Sequence, residues 1–199
     1  MKHAEELDPL SLIIRTNIGW LSYYQHDFQK AIADYQDVLR TDPGFLPAHA
    51  KLWIAYALQG NNEQAARELE TVFQLYGHSG LLEQDERRNP RVEFRGIFQA
   101  YLDSGYMSVY EKARLLSVSG QNEKALQALR KAEADRNSWM IYMGIEPAFD
   151  PLRSSTQFQG ILKAIGLPGP PTSSSRPDHP YALAPPSRQK SEPASYASR

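Results

Sequence analysis

Along most of this chain, apolar residues recur at the three- and four-residue intervals of an amphipathic helix. The pattern predicts helices over roughly 10–25, 28–40, 45–59, 62–76, 91–103, 107–119, 122–134 and 156–165. A further short helical turn is expected around Leu81 to Asp85. Asn61 and the pair Gln121-Asn122 mark tight turns between neighbouring helices. None of these helices is long enough to hold its shape alone in water, so they must stack.

The stacking has a period. Asp8-Pro9 and Asp42-Pro43 lie 34 residues apart, as do Ala31 and Ala65, Tyr35 and Leu69, and Val38 and Val72. A period of this length, with small and large apolar residues at fixed places, is the mark of a repeated helical hairpin. Ala31 and Ala65 are expected where the two helices of a hairpin approach most closely, and Gly19 serves the same contact. Tyr35, Leu69, Val38 and Val72 are expected to fill the space between successive hairpins. Each proline follows a helix end, where its fixed φ and missing N–H stop the helix. The register then breaks, because Ala65 to Ala125 is 60 residues.

These positions resemble the tetratricopeptide consensus. Ile18-Gly19, Ala31, Tyr35, Val38 and Pro43 fill the places of one repeat. Leu52, Tyr56, Gly60, Ala65, Leu69 and Val72 fill those of the next, with Trp53 where glycine is usual. Ala113, Leu116, Gly120, Ala125, Leu129 and Ala132 fill those of a later hairpin. The resemblance implies an all-α superhelix of helical hairpins, an α-solenoid, with a disordered C-terminal tail. Its expected parts are a remnant of a preceding helix at 1–9 and regular repeats at 10–43 and 44–77. An irregular insert at 78–105, a further hairpin at 106–136, a capping end-piece at 137–168 and the tail at 169–199 complete the series.

The end-piece carries a second resemblance. Ser138-Trp139-Met140-Ile141-Tyr142, Pro147 to Ser154, Phe158 to Leu162 and Ile165-Gly166-Leu167-Pro168 recur as a set. They are similar to the C-terminal tetratricopeptide regions of bacterial multidomain signalling proteins. Such proteins often carry a winged-helix domain, a nucleotide cyclase or a kinase upstream, which implies a sensing or interaction role. Trp139, Tyr142, Phe149, Leu152 and Phe158 are expected to cover the apolar end of the stack. At the other end the chain starts in mid-hairpin. Either protein is missing upstream or the face with Leu12, Ile13, Ile18 and Leu21 binds something, and that face is expected to make the chain self-associate.

Composition adds limits. Residues 168–199 hold eight of the fourteen prolines and a single leucine, too little apolar surface to offset chain entropy. Their net charge of +2 and the stretch Pro185-Pro186-Ser187-Arg188 fit a solvated tail. The whole chain has a net charge of −1, which argues against a nucleic-acid partner. It contains no cysteine, so it forms neither disulfides nor thiolate metal sites, which suits a cytoplasmic setting. No apolar run is long enough to span a membrane.

No catalytic pattern emerges. The histidines are scattered, with His26 expected in a turn and His49 on a helix surface, and no pair has metal-ligand spacing. Asp34 and Asp37 share a helix face as ordinary solvated carboxylates do. Arg87, Arg88, Arg91 and Arg95 sit among acids. No enzyme activity, cofactor or metal is expected. The tetratricopeptide resemblance instead implies a concave groove for a protein or peptide partner. Ile13, Thr16, Asn17, Trp20, Tyr23 and Tyr24 are expected to face it in the first repeat, and Ala50, Lys51, Ile54 and Leu58 in the second. Asn17, Trp20, Tyr23, Tyr24, Lys51, Ile54 and Leu58 are the expected partner contacts. Large amphipathic rings on rigid helices suit that role. An equally open reading packs Trp20 and Tyr24 against a preceding repeat.

Overall fold

The computed structural model describes residue 8 and residues 11–77, 98–103, 105 and 107–169. The remnant helix at the N-terminus, the turn around 81–85, the arginines at 87–95 and the tail beyond residue 169 therefore lie outside the described residues.

Four helices open the fold: α1 (Leu12–Tyr24), α2 (Phe28–Thr41), α3 (Leu46–Leu58) and α4 (Asn62–Leu75). Residues 98–103 are helical. A third hairpin follows, of α5 (Val109–Val118) and α6 (Asn122–Ala134). Two 3₁₀ segments, Ser138–Tyr142 and Pro147–Leu152, lead to α7 (Thr156–Ala164). Among the described residues there is no strand.

Local chemistry sets the boundaries. The Asp27 side chain caps α2 by accepting from the Lys30 N–H, and Asn61 caps α4 by accepting from Gln64. Ser108 and Glu111 form a reciprocal capping box at the start of α5. The turn inside each hairpin needs one left-handed residue. Gly60 and Gly120 supply it at φ +79° and +76°, and His26 supplies it at φ +63° in the first hairpin.

Packing then follows the small residues. Ala31, Ala65 and Ala125 have no exposed surface. A Cβ on Gly19 would come within 2.6 Å of the Tyr35 ring, so α1 and α2 touch there because glycine lacks one. Tyr35, Val38, Leu69 and Val72 are buried, Tyr35 with its ring against Gly19 of its own hairpin. Helix α3 is apolar nearly all round and buried over most of its length, packing against α1, α2, α4 and α5. His49 on this helix is buried, which corrects the expectation of a surface position. Its ring is held between Glu68 of α4 and the Pro43 carbonyl.

The buried side chains form two clusters. One joins α1–α4 with Phe98, Tyr101, Met107, Leu115 and Ala148. The other joins α5, α6, α7 and the 3₁₀ segments through Tyr110, Met143, Phe149, Leu152 and Phe158.

Candidate partner-binding face

Helix α1 carries Gly19 toward α2, which turns Trp20, Tyr23 and Tyr24 to the side where α3 and α5 lie. That side is already in contact with the chain's own end-piece. Trp20 meets Trp139 at 5.9 Å and Tyr142 at 5.2 Å between ring centroids. Tyr24 stacks on Tyr142 at 5.9 Å with the rings 10° apart. Such pairs add roughly 0.5–1.5 kcal/mol each beyond the area they bury.

Polar contacts continue the line. The Tyr23 hydroxyl donates to Glu146. The Ala148 N–H donates to the same carboxylate at 3.2 Å, and Arg114 Nε of α5 lies 3.3 Å from its other oxygen. Further along, His26 Nε2 sits 2.7 Å from Asp150. The order 20, 23, 26 on the α1 side therefore meets 139, 146, 150 on the end-piece, so the two stretches run the same way.

The electrostatics follow from burial. Burial pushes the Tyr23 phenol well up, the Glu146 charge adds to this, and Arg114 only partly opposes it, so the hydroxyl stays a donor. Burial works against the Arg114 charge too, but Glu146 and the nearby phenols outweigh it and hold the guanidinium protonated. Asp150 is raised by burial and lowered by its bonds to His26 and Arg153, and the lowering wins. Lys51 lies over the Trp20 ring, 3.5 Å from its centroid. Burial and the like charge of Arg114 bring its pKa down to about 8.

The end-piece is tied to itself. Arg153 donates to the carbonyls of Gly144 at 2.6 Å and Glu146 at 3.2 Å, and to Asp150 at 2.5 Å. Its inner side chains Met143, Phe149 and Leu152 are buried against the third hairpin.

The expected groove residues therefore separate. Trp20, Tyr24 and Lys51 come together at one place. Tyr23 and Ile54 are each only 1% exposed and lie in the core, out of reach of an incoming chain in this conformation. Leu58 packs at the edge of the core, and Asn17 is part-exposed one turn before Trp20. The expected cap divides as well. Phe149, Leu152 and Phe158 cover the last hairpin, whereas Trp139 and Tyr142 lie on the first. The end-piece lies against Trp20 and Tyr24, and both stay partly exposed.

Sequence reasoning missed Arg114, Glu146 and the His26–Asp150 pair. Two signals bore on them. Glu146 is the one charge in the apolar run Met143 to Phe149, and His26 stands where the other hairpins have glycine.

Residues 23–76 match the family model described as tetratricopeptide repeat. The match covers 54 of the 199 residues, from the end of α1 to just past α4. No curated protein and no solved structure matches the chain. The match supports a tetratricopeptide family and, in general terms, a protein–protein interaction scaffold. Together with the hairpin packing it makes the fold tetratricopeptide-type and all-α. Tetratricopeptide folds are typically non-catalytic binding scaffolds. Among the described residues, no acidic, histidine or cysteine group is arranged to hold a metal, and no helix is long and apolar enough to cross a membrane.

Proposed function

We propose that this chain is an interaction scaffold that takes a partner's peptide segment on the face built by α1 and α3, centred on Trp20, Tyr24 and Lys51. The observation that carries the reading is the end-piece itself. A non-repeat stretch of polypeptide lies along this face and is held by ring stacking, a buried carboxylate and a charge-assisted contact. A face that accepts one such segment has the chemistry to accept another. Asn17 and Leu58 flank it and would extend the contact, while Tyr23 and Ile54 support it from beneath. Nucleic acid is not its ligand in this reading, and the cytoplasm is its setting.

Affinity capture tests the reading. The full chain and its Trp20→Ala and Lys51→Met variants, checked for folding by circular dichroism, are compared as baits. A partner held by the wild type and lost from folded variants supports the assignment. Equal capture by all three contradicts it.

A second reading rests on the end-piece sequence, which resembles the C-terminal region of bacterial signalling proteins. In it the same face reports partner binding to an effector domain upstream. An immunoblot of native cells decides between the two: a band near 22.5 kDa fits a free-standing scaffold, and a much larger one fits the regulatory region.

A further inference from the structure

We infer that the end-piece is a built-in competitor for the partner face, and that the partner presents the same chemistry: two aromatic residues three apart, then a carboxylate four residues on. This deepens the scaffold reading and rests on it.

Three features point this way. The end-piece has two sides of different character. Its inner side is apolar and fixed to the third hairpin through Met143, Phe149 and Leu152. Its outer side meets α1 through rings and polar groups, and Trp139 remains 44% exposed. Only Ala148 of this side enters the α1–α4 core, and a seam otherwise made of rings and polar groups resembles an interface more than a core.

The face also has more positive than negative charge without its occupant. Lys51 lies over Trp20 and Arg114 lies beside Glu146, and apart from Glu146 the one acid among the described residues that bears on Lys51 is Glu111. Glu146, 1% exposed, is the carboxylate that answers Arg114. An incoming segment that displaces Glu146 must bring an acid of its own, because a buried guanidinium left unpaired is costly.

Finally, His26 keeps a left-handed backbone at a place where Gly60 and Gly120 hold the other hairpins. A side chain at such a place carries a strain that glycine avoids. Its ring spans to Asp150, 124 residues along the chain.

An intramolecular segment competes at a high effective concentration, so its removal tightens the binding of a free peptide. The probe is a fluorescein-labelled peptide of residues 137–152, titrated by anisotropy against the full chain and against the W139A/Y142A/E146A chain. These substitutions leave the α1 face intact. The substituted chain should bind at least about tenfold more tightly than the wild type. The peptide carrying Glu146→Ala should lose most of that affinity. Equal binding by both chains, or none by a folded substituted chain, overturns the inference. If the triple variant fails to fold, W139A/Y142A is read by the same criteria, with amide exchange over 139–146 reporting that the seam has opened. A captured partner that needs Trp20 yet binds open and closed chains equally would leave the scaffold reading standing and remove the competitor.

Discussion

At the scale of single residues, three positions carry sharp expectations. Gly19→Ala adds a methyl group 2.6 Å from a fully buried tyrosine ring. The gain in helix propensity is under about 1 kcal/mol, and overpacking costs roughly 1–3 kcal/mol. The variant should therefore be less stable by about 1–2 kcal/mol in urea denaturation. His49 Nδ1 lies 2.6 Å from Glu68 and Nε2 2.9 Å from the Pro43 carbonyl, both acceptors, so the ring donates to both only in its protonated form. The Glu68 bond raises its pKa, burial opposes, and the Pro43 bond, Glu68 and Asp42 add to the rise. A histidine that binds its proton more tightly folded than unfolded stabilises fully below its ordinary pKa. That stabilisation disappears as pH climbs through the raised one. The stability difference between wild type and His49→Gln should accordingly be larger at about pH 5.5 than at about pH 8.5. No change between the two would show that His49 is neutral in the fold. Glu146→Gln removes the counter-charge of Arg114 from a buried setting and should cost about 3 kcal/mol, read from the shift in urea midpoint.

At the scale of elements, the capping box of α5 offers a clean test. Ser108→Ala leaves the Glu111 N–H without its acceptor and should cost about 1 kcal/mol. Most elements were legible beforehand, because each is written locally. The expected helix 28–40 is found as Phe28–Thr41, and 45–59 as Leu46–Leu58. Spacing of apolar residues and caps such as Asn61 suffice for that. Burial of His49 was also within reach, since the stretch Leu46 to Leu58 has almost no polar side to offer. The seating of Trp139 and Tyr142 on α1 was not legible. It joins residues more than a hundred positions apart through irregular 3₁₀ backbone, where neither a period of 3.6 nor one of 34 has any force. The consensus put Trp20 and Tyr24 in a partner groove and gave no sign that the chain's own end-piece lies against them.

At the scale of the molecule, the fold is a hairpin stack with its own end-piece packed against α1 and α5. Two apolar residues of α1, Ile13 and Leu21, are 48% and 46% exposed. The self-association expected of that helix can be checked by sedimentation velocity. Ile13→Ser/Leu21→Ser should shift the chain toward monomer, and identical profiles would assign any association to another surface. The central claim is that the end-piece sits on the face of Trp20 and Tyr24. A double-mutant cycle on Tyr24→Ala and Tyr142→Ala measures it most directly, because the two rings stack and share no sequence neighbourhood. The account predicts a coupling of about 0.5–1.5 kcal/mol in unfolding free energy. Strict additivity, within about 0.3 kcal/mol, would contradict it.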